Sequence, residues 1–228
     1  MGVTRHGDHL LKLTRQGWVN CYLVIEDDGI TAVDTGIPGT AQRILSAASE
    51  AGGEVRRIAL THAHGDHVGS LKQLHAEVPG AEVLISARDA RFLRGDKSLD
   101  PGEPESKLRG SYPKVDVEPS RAVSPGDRVG SLEVIASPGH TPGHVAYLDT
   151  RDRTLIAGDA FQTLGGIAVA GKIRPLFPPP ALGTWDKPLS LATARQLRAL
   201  DPSRLAVGHG RVIESPAAEM DKAIADAA

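Results

Sequence analysis

A chain of 228 residues that is 40% apolar and 24% charged has the size and balance of a globular protein able to bury a substantial core. Its net charge of −2 offers no basic surface for nucleic acid or an anionic membrane, and no apolar run approaches bilayer-crossing length. The single cysteine, Cys21, excludes an intramolecular disulfide and a cysteine-based zinc knuckle; with no apolar leader in the opening residues, the expected compartment is the reducing cytoplasm.

The stretch "WVNCYLVIE" reads as a strand, with Cys21 as a small buried hydrophobe, and Asp28-Gly29 turns it back into a second strand, "ITAVDTG". Thr40 is placed to cap a helix through "AQRILSAASEA", which turns Ile44, Leu45 and Ala48 to one face and stops at Gly52. "VRRIAL" is a short buried strand that runs directly into "THAHGDH". Beyond it, "HVGSLKQLHAEV" spaces Val68, Leu71, Leu74 and Val78 for a helix that Pro79-Gly80 ends, and "AEVLIS" is a further strand. Arg88, Arg91 and Arg94 line one face of a short helix and read as a solvated face.

From Gly95 to Gly126 the text is polar and rich in proline and glycine, a long connection of the kind that serves as a lid or links two halves. Strands resume at "LEVIAS", "HVAYLD", "TLIAGDAF" and "RLAVGHG". Helices follow at "SLATARQLRAL" and "SPAAEMDKAIADA", the second with Ser215 as cap and Pro216 in its first turn. "YLDTRDRTLIAGD" echoes "LVIEDDGITAVDTG", a weak internal repeat that suggests two similar halves, roughly 1–110 and 111–228, of a single domain. Two sets of strands with helices before and after each pack naturally as a two-sheet core covered by helices.

"THAHGDH" places three histidines and an aspartate within seven positions, at the exit of a strand. On an extended segment the spacing of His62 and His64 points both rings to one side, which suits a borderline metal such as zinc. Asp66 and His67 follow on the turn into the next helix and can serve the same ion or a neighbouring one. Partners are offered by His140 in "SPGHTPGH", Asp159 in "LIAGDAF" and His209 in "LAVGHG", each at the end of a strand in a glycine-relaxed loop.

With "VDTG", H-x-H-x-D-H, "PGHTPGH", "GDA" and "GHG" in that order, the whole chain resembles the metallo-β-lactamase superfamily of metallohydrolases. The resemblance implies an α+β fold, a four-layer αββα sandwich of two mixed sheets flanked by helices, with the site at one edge. It implies two divalent ions, zinc above all, with manganese or iron as alternatives. His62, His64 and His140 would hold one ion, Asp66, His67 and His209 the other, and Asp159 would bridge them. Two ions sharing a water lower its pKa and give hydroxide at neutral pH, here to cleave a small ester, lactone or thioester. Asp66 would orient that nucleophile and pass a proton to the leaving group. Asp34 is the candidate to support a ligand histidine from behind, and His144 has a supporting or structural place.

Departures from the family pattern narrow the branch. Family β-lactamases carry cysteine or serine where this chain has Asp159, which aligns it with the glyoxalase II and lactonase branches. The chain ends nineteen residues after His209, so the helical region with which glyoxalase II holds glutathione is not expected. "GDAFQTLGG" has Phe161 and no tyrosine after the aspartate, unlike quorum-quenching lactonases. The proline-stiffened stretch from Gly165 to Pro188 is expected to wall a pocket for a small-molecule substrate, with Phe161, Ile173, Leu176 and Phe177 as apolar contacts. Trp18 and Trp185 are assigned to core packing. Competing readings are a mononuclear-iron persulfide dioxygenase and a non-catalytic metal-binding scaffold.

Overall fold

The computed structural model describes residues 2–228. A first sheet sets β1 (Val3–His6), β2 (Leu10–Arg15), β3 (Val19–Glu26), β4 (Gly29–Val33), β5 (Val55–Ala59), β6 (Glu82–Ser86) and β7 (Arg121–Val123) side by side in chain order. It is antiparallel from β1 to β4 and parallel from β4 to β7. The second sheet is built from β8 (Arg128–Val129), β9 (Leu132–Ala136), β10 (Val145–Asp149), β11 (Thr154–Ile156), β14 (Arg204–Ala206) and β15 (Ile213–Glu214). Its order is β15-β14-β11-β10-β9-β8, antiparallel except where β14 lies parallel to β11. A ribbon of β12 (Phe161–Gln162) and β13 (Ala168–Val169) stands apart from both.

Three apolar layers follow from the two-residue period of the strands. Between the sheets lie Tyr22 and Val24 from β3 against Val134, Val145 and Tyr147 from β9 and β10. The intervening residues point outward: Leu23 packs beneath α1 (Ala41–Glu50), α3 (Leu71–Glu77) and α4 (Ala87–Leu93), through Ile44, Leu74 and Phe92. Ile135, Ala146 and Leu148 pack beneath α6 (Lys187–Ala199) and α7 (Ala217–Ala227), through Leu197 and Met220. Both sheets are thus covered on both faces, and the architecture is the four-layer αββα sandwich. Cys21 is a free thiol in the first outer layer, and burial pushes its pKa up to about 12.

The chain departs from its sequence pattern in several places, each with a local cause. The polar N-terminus forms the edge hairpin β1–β2, whose Leu10, Leu11 and Leu13 are buried. The turn before β4 falls at Asp27-Asp28, with Gly29 at φ +142, where a Cβ would also meet the Glu54 carbonyl at 2.8 Å. Thr40 does not cap α1; its hydroxyl donates to Ile37 O, and its own N–H goes to Ser70 Oγ. The expected helix 67–78 breaks into α2 (Gly65–Val68) and α3. Pro38 abuts Gly69 so closely that a Cβ would lie 2.6 Å from its ring. Ser215 takes a left-handed conformation, φ +50, and Pro216 precedes α7 without a side-chain cap.

The face of Arg88, Arg91 and Arg94 is not simply solvated. Arg88 holds Glu103 at 2.7 Å, Arg91 holds Asp96 at 2.8 Å, and Arg94 holds Glu118 at 2.7 Å, so α4 tethers the 95–118 connection.

Two buried tyrosines tie the layers to strand ends. Tyr147 Oη donates to Leu60 O at 3.0 Å and Tyr22 Oη to Val207 O at 2.7 Å. Replacing Tyr147 with phenylalanine keeps the packing and strands one buried acceptor, an expected loss of about 1–3 kcal/mol. Urea denaturation of Tyr147→Phe against the parent measures it.

Candidate metal centre

The strands that carry the chemistry all point the same way. In the second sheet β9 and β11 are both antiparallel to β10, and β14 is parallel to β11, so their C-terminal ends meet at one edge. His140 follows β9, Asp159 sits in the 3-10 turn Gly158–Ala160 after β11, and His209 follows β14. In the first sheet β5 leads to His62 and His64, and α2 carries Asp66 and His67. Potential ligand atoms of His62, His64 and His140 lie within 4.8 Å of one another, as do those of Asp66, His67 and His209. The same holds for His62, His67 and Asp159. All seven sequence-selected residues therefore converge.

Every histidine of the cluster is held from behind by an acceptor. His67 Nδ1–H donates to Asp34 Oδ2 at 2.8 Å. Thr61 Oγ1 also donates to Asp34 Oδ2, so it accepts from His62 Nδ1–H at 2.9 Å. His64 Nε2–H donates to Arg109 O at 3.0 Å and His209 Nδ1–H to Trp18 O at 2.9 Å. Thr184 Oγ1 gives its proton to Pro180 O and accepts from His140 Nδ1–H at 3.1 Å. The inward nitrogens of His62, His64 and His140 are therefore bare lone pairs, whereas those of His67 and His209 face the Asp159 carboxylate. His144 supports the site rather than facing into it: its Nδ1 meets Ser137 Oγ at 2.7 Å, and its Nε2 accepts the Asp159 N–H at 3.2 Å.

This arrangement fits divalent cations. His64 Nδ1 and His140 Nε2 face each other at 3.0 Å, two lone pairs that repel unless a proton or cation lies between them. His62 Nε2, His67 Nε2 and Asp159 Oδ1 are buried without a hydrogen-bond partner, a costly state for polar atoms in a dry interior. Imidazole with carboxylate is the donor set of zinc and its first-row neighbours.

The electrostatics agree. Burial holds His62 and His140 well below the usual histidine pKa, and brings His64 down to about 4, so their lone pairs are free at neutral pH. For Asp66, burial pushes the pKa upward, but the His67 and His209 charges win and bring it to about 2. Asp159 is likewise held well below the carboxylate range against burial, by His209 and His67. His67 is raised well above the usual value and His209 to about 9; burial opposes both shifts, and the carboxylates outweigh it. On those two rings a proton balances the carboxylates in the way a bound cation would.

The cavity over the cluster is lined by His64, Asp66, His140, Asp159 and His209, closed by Gly110 and Ser111 on one side and Pro179, Pro180 and Gly183 on the other. The 165–188 stretch thus reaches the site, but not through the side chains expected from sequence. Phe161 is fully buried in the second outer layer, where no ligand reaches it. Ile173 and Leu176 are 51% and 86% exposed and do not line this cavity. Phe177 packs 5.4 Å from the His209 ring. Trp18, assigned to the core, instead stacks on His209 at 5.6 Å with the rings 12° apart; Trp185 is buried and donates to Ser106 O.

One residue had no sequence signal. Asp89 on α4 is fully buried and accepts from Ala63 N–H (3.0 Å), Gly143 N–H (2.8 Å) and Thr141 Oγ1 (2.8 Å). It thereby clamps the His62–His64 loop to the His140–His144 turn. Gly143 must be glycine, because a Cβ would lie 2.6 Å from Asp89 Oδ1. Burial raises the Asp89 pKa to about 6 even against those three hydrogen bonds.

A four-layer sandwich with a histidine–aspartate cluster at one edge defines a class of metal-site proteins, and the comparisons place the chain within it. The family model of the metallo-beta-lactamase superfamily matches residues 15–209, and the chain belongs to that superfamily. It is 48% identical over 207 residues to YobT of Bacillus subtilis, an uncharacterized protein, covering 90% of this chain and 89% of that one. It is 31% identical to the hydroxyacylglutathione hydrolase GloC of Haemophilus influenzae, covering 84% and 85%. The crystal structure of TTHA1623 in a di-iron-bound form superposes with a TM-score of 0.66 at 26% identity, covering 90% and 93%.

Replacing Asp34 with alanine removes the acceptor of His67 Nδ1 and of the Thr61 hydroxyl that holds His62. We expect divalent-metal affinity to fall roughly 10–100-fold, read by chelator competition. Asp89→Ala leaves three buried donors unmatched; an unfolding free energy lowered by about 1–3 kcal/mol or more is expected in denaturant titration.

Proposed function

We propose that the protein is a dinuclear metal-dependent hydrolase that cleaves a small ester, lactone or thioester. The observation that carries this reading is the convergence of buried, inward-facing lone pairs, with His64 Nδ1 and His140 Nε2 3.0 Å apart. His62, His64 and His140 would hold one ion and Asp66, His67 and His209 the other. The Asp159 carboxylate lies between the groups, with Oδ2 at 3.3 Å from His140 Nε2 and 3.1 Å from His209 Nε2 and Oδ1 at 3.4 Å from His67 Nε2, which suits a bridge. When bound, two divalent ions supply an acidified water as nucleophile and a Lewis acid for the scissile carbonyl. Zinc is the ion we propose, and manganese and iron suit the same donors.

The chain's own residues do the rest. Asp66 is the ligand-type residue most open to the cavity, its side chain 29% exposed against 0–3% for His67, Asp159 and His209. Ionised at neutral pH, it orients the nucleophile, accepts its proton at a carboxylate oxygen and returns that proton to the leaving oxygen or sulfur. Water is added across the C–O or C–S bond, the hydroxyl going to the acyl carbon. The likeness to GloC makes hydroxyacylglutathione thioesters one substrate to assay, and the likeness to di-iron TTHA1623 supports a two-ion site.

The test is a panel of esters, lactones and thioesters assayed on metal-reconstituted protein, with metal content counted per chain. Asp66→Asn is expected to lower kcat by about 100-fold or more with a smaller change in KM. Oxygen consumption with a persulfide and no hydrolysis would replace this reading with the dioxygenase one. Full activity after chelation would overturn it outright.

A further inference from the structure

The cavity over the cluster holds about 160 Å³, below the roughly 300–1,000 Å³ typical of small-molecule sites. A second cavity of about 670 Å³ opens beside it, and Asp66 and Ser111 line both, so the two adjoin at these side chains. Its floor is the α2 turn, where Gly65 carries no side chain and Val68 lies beneath. One wall is Ile37 and Pro38 after β4; the other is Pro113 to Val115 of the long connection. Both walls are fastened to the floor by backbone: Gly69 N–H donates to Gly36 O at 2.9 Å and Gly65 N–H to Ser111 O at 2.9 Å. The groove is therefore formed in advance of any ligand, which lowers the entropy cost of filling it.

Charge in the groove is confined to its ends and rim. Asp66 stands at the inner end, an exposed Lys72–Asp116 ion pair (3.4 Å) at the outer one, and Lys114 is exposed on the rim. Between them the lining is Ile37, Pro38, Val68, Pro113 and Val115. An apolar guest gains from leaving water there, and a polar one finds few partners.

We infer that this groove binds an apolar leaving-group arm, the alcohol or thiol side of the substrate. The direction rests on the hydrolase reading: the groove begins at Asp66, the residue that returns the proton to the leaving atom, so the arm passing it is the departing one. The substrates are then esters or thioesters of linear apolar alcohols or thiols with a compact acyl group, which fits the smaller cavity.

Two measurements test this. Binding of 1-octanol, followed by ligand-observed NMR, needs no turnover; Ile37→Trp or Val115→Trp, which fill the groove, should weaken it at least tenfold, and Val3→Trp on the exposed edge strand should not. Turnover of acetate esters from ethyl to octyl on the metal-loaded enzyme should rise in kcat/KM at least tenfold, chiefly through KM, since each fully buried methylene is worth about fourfold. Ile37→Trp should flatten that rise, whereas lengthening the acyl chain of ethyl esters should bring no comparable gain. Octanol binding that both groove variants leave unchanged, or a chain-length gain on the acyl side alone, overturns the assignment. If no ester is cleaved yet octanol binding is lost in both variants, the hydrolase reading fails and the apolar groove stands.

Discussion

The site depends on one carboxylate that is not itself aimed at the metals. Asp34, 3% exposed at the end of β4, accepts from Thr61 N–H, from Thr61 Oγ1 and from His67 Nδ1. Through Thr61 it also sets His62, so one side chain fixes the tautomer and direction of a histidine from each proposed ion's ligand group. It does so from a left-handed backbone, φ +62, rare for a residue with a side chain and costing on the order of 1–3 kcal/mol. The parallel pairing of β4 with β5 compensates by placing Asp34 N–H on Ala59 O at 2.9 Å, beside the strand that leads into the motif.

The same logic organises the second half of the chain. β3–β4 and β10–β11 are both antiparallel hairpins, each followed by a parallel strand, β5 and β14. Each hairpin delivers an aspartate just past its second strand, Asp34 on one side and Asp159 on the other. The first orients histidines from outside the cluster and the second faces them from inside. Packing and chemistry meet at the strand ends, where Tyr147 and Tyr22, buried between the sheets, hold the carbonyls of Leu60 and Val207. These carbonyls lie two residues before His62 and His209, so the interior layer sets the height at which both histidines stand.

The ligands were legible because histidine and aspartate at strand ends are uncommon and their types carry the chemistry. The central strands, β3 to β6, β9 to β11 and β14, were legible because buried-on-both-faces text such as "CYLVI" and "TLIA" has little competing pattern; the edge strands and the short β12–β13 ribbon were not. What the sequence hid was carried by common residues or by the backbone. Thr61, Thr184, Arg109 O and Trp18 O hold histidines, and nothing in a string of letters marks a carbonyl as an acceptor. Asp89 looked like one more charge beside a run of arginines. Its role depends on a glycine 54 positions away, Gly143, that leaves room for it. Phe161 was misplaced for a related reason: two residues past Asp159, it leaves the 3-10 turn as the first residue of β12, and its ring packs into the second outer layer.

Among the cluster histidines, His64 alone takes its outer partner from the connection between β6 and β7, through Arg109 O. The adjoining Gly110 adopts φ +86, and any side chain there would strike the His64 ring, at 2.5 Å from Nε2. The rest of that connection is held by ion pairs from α4, by hydrogen bonds from Gly65 to Ser111 and from Trp185 to Ser106, and by Tyr112, buried against Phe92. This divides the molecule by how freely it can drift over evolution. The sandwich and its strand-end ligands tolerate little change, while the connection answers to the metal chemistry over the short run Arg109–Tyr112. Descendants of this scaffold can lengthen, recharge or replace that wall, and so acquire new substrates, provided a carbonyl and a bare glycine still meet His64.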